Sequence, residues 1–385
     1  MKRRSMERSR DGEMKREPTA TNEKKFYAHG GCMRILNQKR HVTMWFVGPV
    51  GRMMLLVLLV FLTASVAVAQ NLTKTGTSAA PFLKIGVGSR ALGMGGAFTA
   101  TADDITAMYW NPGGLARLYT REAVFNHVRW FADVNYDFAA FATYLPGFGT
   151  LGAFVDVLSM DDMLVRTVEQ PEGTGELFNA GAMAIGLSYG RDLTDQFSIG
   201  FNVKYLREYI WNMTATGVAM DIGTIYRIPI LNEFRLGASI SNFGTKMRLE
   251  GRDNLMITQI GGTEGNLINT DVQLDEFDLP LLFRVGVAAD VLKAEEARLT
   301  VALDAIHPND NTEYLNTGME FAWNEILFLR GGWKSLFERD TEQGFTAGVG
   351  LNYRILGEVM VKLDYAYQDW GRLKNVHYLT FGLKF

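Results

Sequence analysis

Long stretches of this sequence alternate apolar with small or polar residues at a period of two. In FTAGVGLNYRI, residues 345–355, the odd-numbered residues are apolar and the even-numbered ones are glycine, polar or charged. The same split occurs in FSIGFNVKY, residues 197–205, and in VKLDYAYQ, residues 361–368. This pattern is typical of β-strands with one apolar face. It therefore predicts an all-β fold.

The predicted strands are long. Most of them reach or exceed the roughly 9 to 11 residues that a tilted membrane strand needs, whereas strands of soluble sheets have about five or six. A water-soluble sandwich also alternates, so strand length, more than alternation, favours a transmembrane antiparallel β-barrel of about fourteen strands. The predicted strands are approximately 122–130, 134–146, 149–160, 183–193, 197–210, 215–228, 234–244, 279–292, 297–308, 313–324, 326–335, 344–355, 359–370 and 376–385.

The connections between the predicted strands alternate in length. The short turns are PGFG, DLTDQ, IPILNE, LKAEEA, NE and LGE. The longer or polar segments are 161–182, 211–214, 245–278, 309–312, 336–343 and 371–375. Outer-membrane barrels have short periplasmic turns and longer extracellular loops. An even number of strands then places both ends of the barrel on the short-turn side.

An apolar segment near the start of the chain predicts export. The sequence GPVGRMMLLVLLVFLTASVAVAQ has a basic Arg52, an apolar core, and small residues Ala67 and Ala69 at the spacing of a cleavage site. The core is shorter than the roughly 20 residues of a transmembrane helix. We therefore expect residues 53–69 to be the hydrophobic and cleavage regions of a signal peptide, with cleavage after Ala69.

The residues before the signal, 1–52, are highly charged and lack apolar periodicity, so they cannot bury a core. We predict a disordered extension or a misassigned start, with initiation at Met33 or Met44. The single cysteine, Cys32, falls in this region. The mature chain is therefore expected to have no thiol for metal binding or catalysis, which suits an oxidising compartment.

Composition narrows the functional class. Hydrophobic residues make up 47% and aromatic residues 12% of the chain, and the net charge is −3. The mature part has no apolar run of 18 residues, so strands, and not helices, would have to meet the lipid. Scattered Lys and Arg form no basic patch, so no nucleic-acid partner is expected. The expected surroundings are the lipids of the bacterial outer membrane, reached after signal cleavage.

Residues 88–118, GSRALGMGGAFTATADDITAMYWNPGGLARL, combine glycines, two aspartates and an Asn-Pro-Gly-Gly turn. A phosphate-binding loop would need a βαβ context and a following lysine, and neither is present. The spacing of an EF-hand calcium loop is also absent. Asp103 or Asp104 is expected to cap a short helix in ITAMYWN.

No catalytic site and no cofactor are predicted. After the signal only His127, His307 and His377 occur, scattered, and the common hydrolase motifs are absent. The acidic loop TDVQLDEFDLP, with Asp271, Asp275, Glu276 and Asp278, fits either a surface calcium site or a solvated loop, and no metal site is assigned. Charged residues on the lumen side are expected to pair with each other: Lys204, Arg235, Arg284, Asp304, Arg330, Arg354, Lys362 and Asp364.

RALGMGGAF, ADD and YWNPGGLA together resemble the amino-terminal signature of the PorV/PorQ family, which is related more distantly to the FadL and TodX outer-membrane transporters. The resemblance implies that residues 70–121 form a plug segment in the lumen of a barrel built from residues 122–385. Close glycine packing would suit such a plug. The residues that carry the signature are Arg90, Gly93, Gly95, Gly96, Asp103, Asp104, Asn111, Pro112 and Gly113.

The chain ends in YLTFGLKF, with Leu379, Phe381, Leu383 and Phe385 on one face. A last amphipathic strand ending in phenylalanine resembles the carboxy-terminal assembly signal of bacterial outer-membrane proteins. Phe385 is therefore expected to act in barrel assembly.

Three functions remain open from the sequence. The PorV/PorQ resemblance favours a component of protein secretion across the outer membrane, such as type IX secretion, with secretion-apparatus proteins as partners. The alternative is a FadL-like passive channel for a hydrophobic ligand such as a fatty acid or an aromatic hydrocarbon. An outer-membrane enzyme is disfavoured. The loop 245–278 could form an apolar docking patch or a pocket lid, through Leu249, Leu255, Met256, Ile257, Ile260, Leu267 and Ile268.

Overall fold

The computed structural model describes residues 75–229, 232–261, 265–357 and 359–385. The predicted extension, the signal peptide and its cleavage residues Ala67 and Ala69 lie outside these ranges. Within the described ranges, no helix has the length and apolarity needed to cross a membrane.

Fourteen antiparallel strands form the wall of a closed barrel. The strands are β1 (Glu122–Arg129), β2 (Val134–Leu145), β3 (Gly149–Met160), β4 (Ala180–Asp192), β5 (Phe197–Ile210), β6 (Met213–Ile228), β7 (Phe234–Gly244), β8 (Leu282–Lys293), β9 (Ala297–Pro308), β10 (Tyr314–Trp323), β11 (Leu327–Leu336), β12 (Phe345–Leu356), β13 (Val359–Asp369) and β14 (Asn375–Lys384). Each strand pairs with its neighbours in chain order, and β14 pairs with β1 to close the sheet. The predicted antiparallel β-barrel of about fourteen strands is confirmed.

Short elements precede the barrel and decorate its loops. Before β1 lie the 3₁₀ turns Pro81–Lys84 and Pro112–Arg117 and the helices α1 (Ser89–Gly93) and α2 (Ala107–Trp110). The loop elements are the strand pairs Met163–Leu164 with Leu177–Phe178 and Leu255–Ile260 with Asn266–Asp271, the short strand Glu250–Gly251, and the 3₁₀ turns Phe131–Asp133, Arg252–Asn254 and Gly371–Leu373.

The predicted strand ends differ most from the structure at β4 and β8. Strand β4 begins at Ala180, earlier than predicted, because the small residues there give no visible alternation. Strand β8 begins at Leu282, later than predicted. Pro280 has no N–H group to donate to a strand ladder, so regular pairing starts only after it.

The two faces of the wall differ in the way that the alternation predicts. On β5, Asn202 and Lys204 are buried on the inner face, whereas Phe201, Val203 and Tyr205 are exposed on the outer face. Exposed apolar side chains on the outside of a barrel are the surface that meets lipid.

Both ends of the barrel chain meet at one rim. The backbone N–H of Phe385 donates to the carbonyl of Arg121 over 2.9 Å, and the N–H of Arg121 donates to the carbonyl of Phe385 over 3.0 Å. The same rim, here called the short-turn rim, is where β2 is followed by β3, β4 by β5, β6 by β7, β8 by β9, β10 by β11 and β12 by β13. The opposite rim, called the long-loop rim, is where β3 is followed by β4, β7 by β8 and β11 by β12.

Candidate functional site

Residues 80–118, here called the N-terminal segment, are buried at most positions although their helices are only four or five residues long. At the long-loop rim, the backbone N–H of Ala80 donates to Glu208 over 3.1 Å, and Lys84 pairs with Asp310 at 2.6 Å. At the short-turn rim, the Leu118 carbonyl accepts a hydrogen bond from the Thr150 hydroxyl over 3.0 Å. The segment therefore runs from one rim to the other along the inner face of the wall.

Glycines on the inner face let the backbone of the N-terminal segment approach the strands. A Cβ atom on Gly200 would overlap the carbonyl of Pro112, and one on Gly318 would overlap the carbonyl of Met94. Such positions admit no larger residue without movement of the backbone. The inner-face glycines that contact the segment in this way are Gly190, Gly200, Gly223, Gly237, Gly318 and Gly332, which are called the glycine band.

Glycines of the signature motif, which belong to the N-terminal segment, also approach the strands of the wall closely. Gly95 has a φ of +66°, and a Cβ there would lie 2.6 Å from the carbonyl oxygen of Thr317 on β10. Gly96 has a φ of +74°, a conformation that favours glycine. A Cβ on Gly93 would lie 3.1 Å from Gly348 of β12. Both the conformation and the lack of space account for glycine in this motif.

Arg90 of α1 joins the N-terminal segment to the wall through ion pairs. Its guanidinium donates to Glu320 of β10 through Nε at 2.9 Å and through Nη2 at 3.1 Å. Its Nη1 donates to Asp103, and to Asp104 at 3.0 Å. A bidentate arginine-carboxylate pair fixes orientation as well as distance. Arg90 thus links two carboxylates of its own segment to one in the wall.

Glu320 extends this contact across neighbouring strands. It accepts a hydrogen bond from Arg330 Nε at 2.8 Å and pairs with Arg298 at 3.3 Å, and its side chain is only 1% exposed. Arg330 in turn pairs with Asp364 of β13 at 2.5 Å. Glu320 is not among the residues expected from the sequence to act at this site, and its one signal there is its inward position in GMEFAW.

The two aspartates of the motif have different roles. Asp104 accepts hydrogen bonds from the backbone N–H of Thr106 at 2.9 Å and from its hydroxyl at 2.5 Å, just before α2 begins. The expected helix cap by an aspartate is not formed: Thr106 is the N-cap residue of α2 and its side chain makes no capping hydrogen bond, and Asp104 binds this residue, which precedes the helix. The ion-pair partner of Asp103 is Arg90.

Asn111 fastens the Asn-Pro-Gly-Gly turn. Its Nδ2 donates to the carbonyl of Thr99 at 2.7 Å and to that of Thr224 on β6 at 3.0 Å, and its Oδ1 accepts from the N–H of Gly113 at 3.1 Å. Pro112 opens the following 3₁₀ turn. A Cβ on Gly113 would lie 2.8 Å from the carbonyl oxygen of Gly223. The turn is thus bound on both sides to backbone carbonyls.

Most of the charges expected to face the lumen are buried there, but few pair with each other. Arg330 pairs with Asp364 as expected, whereas Asp304 accepts backbone N–H groups from Phe98 and Thr99. Arg354 is exposed near the short-turn rim. The remaining pairs use carboxylates outside the predicted set: Lys204 with Asp221 at 2.8 Å, Arg235 with Asp290 at 2.6 Å, and Lys362 with Glu122.

The acidic loop carries its charge near basic neighbours. Glu276 pairs with Arg248 at 3.4 Å, and Asp278 pairs with Lys246 at 3.6 Å. Across the described ranges, no group of three or more His, Cys, Asp or Glu side chains is placed to hold a metal ion. Such exposed ion pairs are typical of a loop that faces solvent.

Two apolar features lie at the long-loop rim. The strand pair Leu255–Ile260 and Asn266–Asp271, called the apolar hairpin, exposes Ile257 by 71% and Leu267 by 70%. Separately, a mainly apolar cavity of about 290 Å³ lies beside the ends of β2 to β5. Its lining includes Leu158, Met160, Ala182, Ile210 and Leu249.

Several solved structures are similar in fold. The Pseudomonas putida toluene transporter TodX is 13% identical with a TM-score of 0.49, and the match covers 78% of this chain and 97% of that chain. The Ralstonia pickettii toluene transporter TbuX is 12% identical with a TM-score of 0.47 and the same coverage. A Pseudomonas aeruginosa FadL homologue is 11% identical, with a TM-score of 0.44, over 77% of this chain and 97% of that chain. Similarity at this level carries no inference about function.

The family comparison is more specific. No curated protein sequence matches the chain. A family model described as type IX secretion system protein PorV matches residues 68–306, which is more than half of the chain and includes the whole motif. The match confirms the resemblance carried by the motif residues, and the family is one of secretion components. The chain belongs to the PorV family of type IX secretion system proteins, and its barrel lies in the bacterial outer membrane.

Proposed function

We propose that this protein serves protein secretion across the outer membrane as a plugged barrel that works by binding partner proteins. The observation that carries the proposal is the family match over residues 68–306. The proposal adds that the N-terminal segment closes the lumen, so that cargo is handled at the surface of the barrel.

Two features support a role of the N-terminal segment as a plug. Its backbone fits against the glycine band at distances that leave no room for side chains. Arg90 and Glu320 tie it to the wall inside the barrel, where separating a buried ion pair leaves charge uncompensated. Withdrawal of the segment would break both sets of contacts together. A lumen held in this way is a poor path for a protein cargo.

The apolar hairpin supports a binding role. Contiguous exposed apolar residues are costly in water and commonly mark contact sites for other proteins. Ile257 and Leu267 lie on one face of the hairpin, since Ile257 pairs with Asn269 two residues from Leu267. We propose this face as the contact surface for a secretion-apparatus protein.

Affinity purification from the native outer membrane tests the proposal. The wild-type protein is expected to retain secretion-apparatus proteins, and a variant with Ile257→Ser and Leu267→Ser is expected to lose them. A matched control changes Leu164 and Leu177, exposed apolar residues on another loop, to Ser and is expected to keep the partners. A wild-type barrel that carries a stoichiometric hydrophobic molecule and no protein partner would contradict the proposal.

A second candidate is a FadL-like passive channel for fatty acids or aromatic hydrocarbons. The apolar cavity of about 290 Å³ near the long-loop rim favours it, since ligand pockets are concave and mostly apolar. A lateral exit would need a gap in the wall. The bulge between β6 and β7 leaves none, because Asp221 accepts the backbone N–H of Asn242 at 2.7 Å. Native mass spectrometry of the wild type and of Ala182→Trp, which fills the cavity, would detect such a ligand and its loss.

A further inference from the structure

A second cavity, of about 150 Å³, lies between the N-terminal segment and strands β8 to β11 near the long-loop rim. Tyr109 and Trp110 line it from the segment, and Tyr314 lines it from β10. Arg284 of β8 and Lys334 of β11 also line the cavity. The cavity thus combines aromatic rings with two cationic side chains.

Neither cation has a carboxylate of the described residues within ion-pair distance, although the charge of Glu338 acts on Lys334 and that of Asp304 acts on Arg284. Arg284 is 5% exposed, donates to the Ser241 hydroxyl at 2.9 Å, and lies 5.7 Å from the rings of Tyr109 and Trp110. Lys334 is 9% exposed, and its ammonium lies 5.8 Å from the ring of Trp370. Among the residues that the structure describes, neither forms an ion pair, and the Lys334 ammonium has no hydrogen-bond acceptor. Buried cations are normally paired.

Two carboxylates also line this cavity, and each has its own partner. Asp310 accepts from Lys84 at 2.6 Å and from the Ser78 hydroxyl at 3.0 Å. Glu338 accepts from the side-chain amide of Asn311 at 2.6 Å. Among the residues that line the cavity, Lys84, Arg284 and Lys334 outnumber the carboxylates Asp310 and Glu338 by one, and the buried carboxylate of Asp304, which does not line the cavity, also acts electrostatically on Arg284. Other cations of the inner face, such as Lys204 and Arg235, have carboxylates in direct contact.

We propose that this cavity binds the carboxylate of an organic anion that enters from the long-loop rim. A guanidinium presents a planar fork that matches a carboxylate, and the ammonium adds a point charge beside it. A cavity of about 150 Å³ accommodates a benzene-sized group. Tyr109, Trp110 and Tyr314 would contact the carbon part of the ligand. The carboxylate belongs either to a small free acid or to the carboxyl terminus of a peptide. This inference is independent of the secretion proposal.

Calorimetric titration of the refolded mature protein tests this site with isosteric probes. Benzoate is expected to bind at least tenfold more tightly than neutral benzamide. Lys334→Gln and Arg284→Gln are each expected to weaken benzoate binding at least tenfold. Lys293→Gln, which removes an exposed lysine at the end of β8, is the control and is expected to leave binding unchanged.

Heat-modifiable migration on gels verifies that each variant is folded. If Arg284→Gln does not fold, the affinity of Lys334→Gln for benzoate tests the proposal. A short peptide acid ending in phenylalanine and its amide distinguish the sources. Tighter binding of the peptide acid than of benzoate assigns the site to a peptide terminus, and the reverse assigns it to a free acid. Equal binding of benzoate and benzamide, tighter binding of inorganic phosphate, or unchanged affinity in Lys334→Gln would overturn the proposal.

Discussion

The inner and outer faces of the barrel wall belong to the same strands but are built differently. On β10, Glu320 points inward into a cluster of three arginines, while its neighbours Met319 and Phe321 point outward and are exposed. Inner positions hold glycines and paired charges in individual contacts with the N-terminal segment. Outer positions share one requirement, which is to be apolar. The effect of a substitution on stability should therefore depend on the contact partner for an inner-face residue. For an outer-face residue it should depend only on the polarity of the new side chain.

The largest expected effect comes from Glu320, because it is the shared partner of Arg90, Arg298 and Arg330. Glu320→Ala leaves buried positive charge uncompensated and should lower the free energy of unfolding by about 3 to 5 kcal/mol. Urea unfolding of the protein in lipid vesicles measures this loss. Glu325→Ala is the control, since Glu325 pairs with Arg298 in an exposed turn and should cost about 0 to 1 kcal/mol. Equal losses in both variants would contradict a special role for the inner cluster.

Adjacent glycines on β11 allow a direct comparison of the two faces. A Cβ on Gly332 would overlap the backbone of Gly95, whereas one on Gly331 would meet nothing within 4 Å. Gly332→Ala should therefore destabilise the protein by about 1 to 3 kcal/mol through overpacking. Gly331→Ala should change stability by less than about 0.5 kcal/mol. Similar values for the two would show that the segment does not press against the wall.

A smaller effect is expected at the end of β14, where Phe385 shares the outer face with Phe381 and Lys384 has the opposite orientation. Near the membrane interface a charge on the outer face costs only about 0 to 1 kcal/mol of stability. We still expect Phe385→Glu to lower the fraction of assembled barrel more than Lys384→Glu. Heat-modifiable migration after insertion into membranes measures that fraction. Equal insertion of both variants would contradict a role of Phe385 in barrel assembly.

The smallest effect concerns an exposed ion pair at the long-loop rim. Hydrogen bonds from Arg372, and its positive charge, lower the pKa of Glu342 below its usual value. Because the folded pKa is lowered, the contact is present at neutral pH and is lost as the pH falls through that pKa. Carboxyl NMR titration should show a higher pKa of Glu342 in Arg372→Gln than in the wild type, because the guanidinium hydrogen bonds are lost while the backbone N–H of residue 372 still donates to Glu342. An unchanged pKa of Glu342 in this variant would show that the Arg372 side chain does not cause the lowered pKa.

The strands could be predicted because alternation is local to each strand. The predicted start of β8 lies three residues before the observed start at Leu282, because Pro280 interrupts the pairing of the strand and the alternation of apolar residues does not show this. Contacts across the lumen could not be predicted, because they depend on register and on the path of the N-terminal segment. For that reason the sequence does not reveal the role of Glu320, and the predicted cap of the short helix by Asp103 or Asp104 is wrong. The motif residues themselves were found through a family resemblance, which gave positions but no partners.

The central claim is that the inner face holds the N-terminal segment as a plug, and single-channel conductance in planar bilayers tests it most directly. A barrel truncated to begin at Tyr119 is compared with the full mature protein, after heat-modifiable migration has verified its fold. A fourteen-stranded wall is wider than the eight-stranded barrels whose interiors side chains fill. If the N-terminal segment is a plug, the truncated barrel is expected to conduct far more than the full protein. An unchanged conductance from a correctly folded truncation would contradict it.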